Sequence, residues 1–174
     1  MKLYLVRHGI ASDQIGGTVR NDFQRPLTEE GKREVEAVAL GLRNLGISPA
    51  VVLHSPLVRA CQTAEIISGV LSAADGLRVV DALSPAGKVT DIYKALKDYE
   101  RAEEVFMVGH EPDVGRLVAT LLWAGPELEL PFQKAAVCRV DVTSVPPNEP
   151  GTLAWFMPPK ISRLLSQATE SAAR

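Results

Sequence analysis

Short apolar runs alternate along the chain with longer stretches whose apolar residues recur at helical spacing. Leu3 to Val6 is the first run. It stops at the polar Arg7-His8-Gly9, which predicts a buried parallel strand followed by a loop. Residues 10–26 are polar and carry Asp13, Gly16-Gly17 and Asn21, so a long connection is expected, of the kind that often serves function. Thr28 then stands as N-cap ahead of Glu29 and Glu30, which suit the positive end of a helix. Val35, Val38, Ala39, Leu42 and Leu45 continue that helix, and Gly46 is its stop. Ala50 to Leu53 predicts a second strand, ending at His54-Ser55-Pro56. A helix follows from about Leu57 to Leu71, with Ala60, Ala64, Ile67 and Leu71 on one face.

The alternation continues. Leu77 to Val80 reads as a short third strand and Ser84-Pro85-Ala86-Gly87 as a turn. Val89 to Tyr99 has helical spacing, Glu104 to Val108 is a fourth strand, and Pro112 suits the first turn of a helix running through Val114 to Trp123. After Gly125-Pro126 the pattern changes. Ala136 to Val142 and Thr152 to Met157 flank a turn-rich segment, which predicts a hairpin at a sheet edge. Repeated strand–helix units closed by a hairpin predict an α/β domain, a three-layer α/β/α sandwich with a mainly parallel central sheet. One domain is expected over residues 1–160, with residues 161–174 as a tail that forms a short, fraying helix.

Composition narrows the class. The chain has 174 residues, enough for one domain with a sizeable core. A formal net charge of −2 gives no general basic excess, so nucleic acid is not an expected partner. No apolar run is long enough to span a membrane, and the apolar N-terminal stretch is interrupted too early for a signal peptide. Two cysteines, Cys61 and Cys138, are too few for a disulfide scaffold. They read as small core residues, and a cytoplasmic location is expected. Trp123, Trp155 and Phe156 read as core rather than as a ligand platform.

The candidate chemistry lies at strand ends. The chain has three histidines, His8, His54 and His110, each at or just past the carboxyl end of a predicted strand. In open α/β sheets ligands bind outside those ends. Arg7 and Arg59 reach the same edge. Arginine forks fit phosphate oxygens, and helix N-termini after Ser55 and His110 add donors. A neutral imidazole is a good nucleophile toward phosphorus and a good leaving group afterwards. Three imidazoles also suit zinc, but the flanking arginines repel a metal ion and attract phosphate.

These residues fall in four ordered segments. Leu5-Val6-Arg7-His8-Gly9 resembles the R-H-G signature of the histidine phosphatase (phosphoglycerate mutase-like) superfamily. Arg25-Pro26-Leu27-Thr28-Glu29-Glu30-Gly31 is similar to that family's R-P-L-T-x-x-G stretch. Ser55 to Ala64 resembles S-P-x-x-R-A-x-Q-T-A, and Gly109-His110-Glu111-Pro112 resembles G-H-x-P. The short chain, Leu83-Ser84-Pro85-Ala86-Gly87 and the closing hairpin to Pro158 are more similar to the SixA-type phosphohistidine phosphatases than to the longer mutases.

The resemblance implies a phosphoglycerate mutase-like fold and a phosphatase with His8 as transiently phosphorylated nucleophile. Arg7, Arg59 and His110 would hold the phosphoryl group, and Arg25 would assist at the pocket mouth. It implies no metal and no organic cofactor. The substrate would be a phosphohistidine-bearing protein or a small phosphorylated molecule. One departure is Ala82, where SixA-like relatives can carry glutamate. Glu111 and Asp81 are the remaining candidate proton donors. A leaving imidazole needs less acid assistance than an alkoxide. His54 is a second departure, and a structural or pocket-lining role is expected for it. A non-catalytic phosphate-binding domain on the same fold is the alternative, and retention of all four central residues speaks against it.

Overall fold

The computed structural model describes residues 1–13, 21–125, 128 and 130–172. The Gly16-Gly17 pair and Pro126 lie outside the described residues. Six strands form one sheet: β1 (Lys2–Arg7), β2 (Val51–His54), β3 (Leu77–Val79), β4 (Glu104–Gly109), β5 (Val137–Asp141) and β6 (Thr152–Met157). Their spatial order is β3-β2-β4-β1-β5-β6. β3, β2, β4 and β1 pair in parallel, whereas β5 runs antiparallel to β1 and β6 antiparallel to β5. The expected hairpin therefore forms, with β6 at the edge.

Strand alternation sorts side chains onto the two faces of the sheet. Leu3, Leu5, Leu53, Val105 and Met107 pack with α3 (Val89–Lys97) and α4 (Asp113–Leu121). Tyr4, Val6, Val52, Phe106 and Val108 pack with α1 (Glu29–Asn44) and α2 (Val58–Leu71). Both faces are covered over β1, β2, β4 and β5, whose centres are buried, while the edge strands β3 and β6 are more exposed, and the three layers follow. Tyr4 stacks on Phe106 with ring centroids 4.5 Å apart, and it meets Trp155 at 5.8 Å.

Local signals set the helix ends. The Thr28 side chain accepts from Gly31 N–H and caps α1 as expected. Gly31 is needed where it stands, because a Cβ there would collide with the Ile10 carbonyl. At the other end the chain leaves α1 through Gly46, at φ 74°. α4 stops at Leu121, earlier than expected, because the chain turns through a left-handed conformation at Trp123. Trp123 is consequently exposed rather than part of the core. Cys138 is buried, and Cys61 is half-buried on α2 beside Glu65.

The C-terminal segment differs most from expectation. It is α5 (Pro159–Ala172), so a boundary at residue 160 falls inside a helix. α5 lies against α1. Ser162 is fully buried, and the absence of a side chain on Gly41 lets the Ser162 carbonyl approach α1. Asn44 Nδ2 donates to the Leu165 carbonyl at 3.0 Å, and Arg163 pairs with Glu34 at 3.0 Å.

Candidate active site

Strand register brings the histidines together. Arg7 pairs with Gly109 across β1 and β4, so the next residues, His8 and His110, leave the sheet side by side. Their ring centroids are 5.1 Å apart. His54 pairs with Val108 across β2 and β4. Ser55 therefore also emerges at this edge, and its Oγ lies 2.8 Å from His110 Nε2. His8, Ser55, Arg59 and His110 are all buried.

The nucleophile candidate has a defined tautomer. His8 Nδ1 lies 2.7 Å from the Gly9 carbonyl oxygen. A carbonyl only accepts, so Nδ1 carries the proton and Nε2 presents its lone pair. Arg59 Nε donates to that Nε2 at 3.2 Å. The other Arg59 nitrogens are held by Asp22: Nη1 donates to its carbonyl at 2.6 Å and Nη2 to its carboxylate at 2.8 Å. Arg7 Nη1 donates to the Phe132 carbonyl at 2.5 Å. Arg7 Nε and His110 Nδ1 are buried without a hydrogen-bond partner among the described residues. Unpaired buried polar groups are costly, so these two nitrogens at the strand edge call for a partner such as a water or an anion.

The motif segments also work as braces. Thr63 Oγ1 accepts from Gly9 N–H at 3.1 Å and donates to the Arg59 carbonyl at 2.7 Å. Gln62 Oε1 accepts from Leu27 N–H at 2.7 Å. One turn of α2 thus ties the Arg7-His8-Gly9 loop to the segment that starts α1. The N-cap residues of α2 and α4 make no side-chain cap bond, and the first turn of α4 is instead held by the His110 carbonyl, which accepts from Val114 N–H, and by the Glu111 carboxylate, which accepts from Gly115 N–H.

The other expected residues are placed differently. Arg25 directs its guanidinium to the Ser12 carbonyl, Asp13 and Asp22 at 2.7, 2.6 and 3.0 Å. It reaches the cluster through Asp22, which it shares with Arg59. His54 Nδ1 donates to the Ser55 carbonyl at 2.9 Å, and no hydrogen bond joins it to His8 or His110 among the described residues. Asp81 is exposed in a 3-10 turn. Glu111 accepts from the N–H groups of Phe132 and Gly115 at 3.1 and 3.3 Å. Neither candidate acid makes a hydrogen bond or ion pair with the His8 cluster. Glu111 fails to because both its oxygens are committed to backbone. Among the described residues no three His, Cys, Asp or Glu side chains are grouped to hold a metal ion.

Two residues of the cluster were missed in the sequence. Asp22 lay in a polar loop without a motif. Lys134 precedes β5, and its Nζ lies 3.5 Å from His8 Nε2. Because β5 runs antiparallel to β1, its first residues return to the carboxyl end of β1. That pairing is the signal that could have exposed Lys134.

Burial and the surrounding cations keep both rings neutral. Burial, then Lys134, pushes His8 down to about 2. Burial, then Arg59, pushes His110 down to about 4. An unfolded histidine titrates near 6.5, so between about pH 6.5 and 4 the unfolded chain binds more protons than the folded one. Stability from these rings is complete above about 6.5 and is lost as pH falls through that window. Urea midpoints measured from pH 7 to 4.5 should fall, with each ring contributing up to about 1.4 kcal/mol per pH unit. Tungstate, by supplying negative charge to the cluster, should lessen the fall. A flat midpoint across this range would contradict the buried neutral rings.

A neutral imidazole nucleophile facing arginines at the carboxyl edge of a mainly parallel sheet is the arrangement of a phosphatase that works through histidine. Comparison with known proteins agrees. Residues 3–103 match the family described as the histidine phosphatase superfamily (branch 1). The chain belongs to that superfamily. It is 30% identical to the phosphohistidine phosphatase SixA of Escherichia coli K12 over 161 residues, covering 91% of this chain and 94% of that one. It is 34% identical to a protein of Picosynechococcus over 139 residues, covering 79% and 82%. The structure of the protein histidine phosphatase SixA complexed with tungstate superposes with a TM-score of 0.80 at 30% identity, covering 92% of this chain and 98% of that chain. The three-layer sandwich expected from the strand–helix alternation, and the mutase-like fold that the resemblance implied, both agree with this match to SixA.

Proposed function

We propose that this protein removes the phosphoryl group from phosphohistidine carried on another protein, through transient phosphorylation of His8 Nε2. The observation that carries this reading is the His8 ring itself: Nδ1 is fixed as donor by Gly9 while Nε2 faces Arg59. In the first step the Nε2 lone pair forms a bond to phosphorus. The bond from phosphorus to the substrate nitrogen breaks, and its electron pair stays on a substrate ring already protonated from solvent at its other nitrogen, so that it leaves as neutral imidazole. In the second step a water oxygen attacks phosphorus, the P–Nε2 bond returns its pair to His8, and the proton of the water ends on phosphate and solvent. Arg7, Arg59 and His110 hold the phosphoryl oxygens, with Arg25 steadying Arg59 through Asp22.

Two features favour phosphohistidine over a phosphoester. Asp81 and Glu111 make no hydrogen bond or ion pair with the cluster, and a leaving imidazole needs less help from an acid than an alkoxide does. A relative that covers 91% of this chain is named for the same substrate class.

The test compares a phosphohistidine-bearing phosphotransfer protein with a panel of sugar and nucleotide phosphates. The expected kcat/KM is at least about 100-fold higher for the protein, a difference of roughly 2.7 kcal/mol in the barrier. Faster turnover of any panel member would replace this reading by a small-molecule phosphomonoesterase. Binding without turnover of either would make the chain a phosphate-binding domain.

A further inference from the structure

Residues 132–136 resemble no motif, yet main-chain contacts hold them tightly. Phe132 N–H donates to Glu111 and its carbonyl accepts from Arg7. Ala135 N–H is shared between the carbonyls of Arg7 and His8 at 3.1 and 3.3 Å, and Arg7 N–H donates to the Ala136 carbonyl at 3.2 Å. Ala135 is held at φ 60°, a left-handed conformation that costs an L residue about 1–2 kcal/mol. The Phe132 ring is buried edge-on against Phe156 at 4.9 Å. Strain that surrounding contacts enforce in this way is a feature of functional segments. What the enforced turn delivers to the nucleophile is Lys134.

Lys134 is half-buried, and its hydrogen-bond partner among the described residues is His8 Nε2. The charged groups around it are mostly cationic. Arg7 faces it from β1, Arg59 from α2, and Arg25 with Asp13 from the connecting loop. The titratable rings of His8 and His110 feel its charge as well. Burial and those arginines hold its ammonium down at about 8. Cations crowded in a half-buried place are stable together when an anion joins them.

We infer that Lys134 is a further catalytic residue, donating to the equatorial oxygens of the phosphoryl group while His8 attacks it. The inference rests on the phosphatase reading of the site. In-line displacement puts the entering and leaving nitrogens at opposite ends of phosphorus, with three oxygens spread around its equator. A donor beside the entering nitrogen meets one of those oxygens rather than the leaving atom. Lys134 therefore stabilises spreading charge and does not protonate the leaving group. An ammonium on a flexible stem can follow the oxygens as phosphorus moves toward His8, which a rigid guanidinium held at several nitrogens cannot.

The experiment uses the full chain with Lys134→Met and Lys134→Arg, checked for folding by circular dichroism. The parent's kcat/KM for the phosphohistidine protein should fall above pH 8, since kcat/KM reports ionisations of the free enzyme. Lys134→Met should lower kcat/KM by about 10- to 100-fold at pH 7 and abolish that alkaline limb. Lys134→Arg should keep most of the activity and move the limb upward. Tungstate affinity, read by calorimetry without turnover, should weaken at least about tenfold in Lys134→Met. Activity within threefold of the parent, an unmoved limb or unchanged tungstate affinity in Lys134→Met would overturn the inference. If the parent hydrolyses no substrate offered, the phosphatase reading fails and the catalytic role with it, while the tungstate comparison still decides whether Lys134 belongs to the oxyanion site. A parent that binds no tungstate overturns both.

Discussion

Replacing His8 with alanine should lower kcat for the phosphohistidine protein by about 10⁴-fold or more, while tungstate still binds within a few-fold of the parent. The two halves of that result have different origins. His8 supplies the lone pair that breaks one difficult transfer into two easier ones. Without it, water would have to attack the phosphoryl group directly. In the proposed mechanism oxyanion binding comes from Arg7, Arg59, His110 and Lys134, none of which is removed. His8→Asn keeps a short amide donor beside the Gly9 carbonyl and guards against a merely misfolded loop. Rapid quenching of the parent with labelled substrate should trap phosphate on the protein, and neither variant should be labelled. Turnover within tenfold of the parent in both variants would remove His8 from the mechanism.

Arg59→Lys should be nearly as damaging as Arg59→Ala, with kcat/KM lowered by about 10²- to 10³-fold in each. The near equality is the informative part. Arg59 distributes its nitrogens among three acceptors: His8 Nε2, the Asp22 carbonyl and the Asp22 carboxylate. A lysine carries the same charge on one nitrogen and cannot meet all three. If charge alone mattered, Arg59→Lys would stay within a few-fold of the parent. Steady-state kinetics of the two variants, with thermal unfolding as the control for folding, separates the alternatives.

Legibility in the sequence followed the range of the interactions. β1 to β4 and the helices between them are local patterns, each bounded by a glycine, a proline or a cap, and they were readable. The convergence of Arg7, His8, Arg59 and His110 was readable because each lies at or soon after the carboxyl end of a strand, and strands of a parallel sheet end at one edge. α5 was underestimated because its anchor is a fit between Gly41 and the Ser162 carbonyl, which no periodicity records. Lys134 was invisible because its position depends on the antiparallel return of β5 and on a left-handed alanine where a glycine would have been the cue. Asp22 was invisible because an exposed loop carboxylate looks like any other until two arginines are found holding it. Glu111 was visible as an acid, but its partners are backbone N–H groups, and those are conferred by folding.

The proton on the His8 ring is fixed by a main-chain oxygen, that of the adjacent residue, rather than by a carboxylate side chain. In triads built from side chains, the residue that orients the imidazole can be lost through a single codon change. Here every amino acid at position 9 carries the same carbonyl, so point mutation cannot delete the orienting group. The tautomer of the ring thus depends on the course of the main chain, and a substitution at position 9 could disturb it only by moving that carbonyl, since a Cβ there would press on Val35.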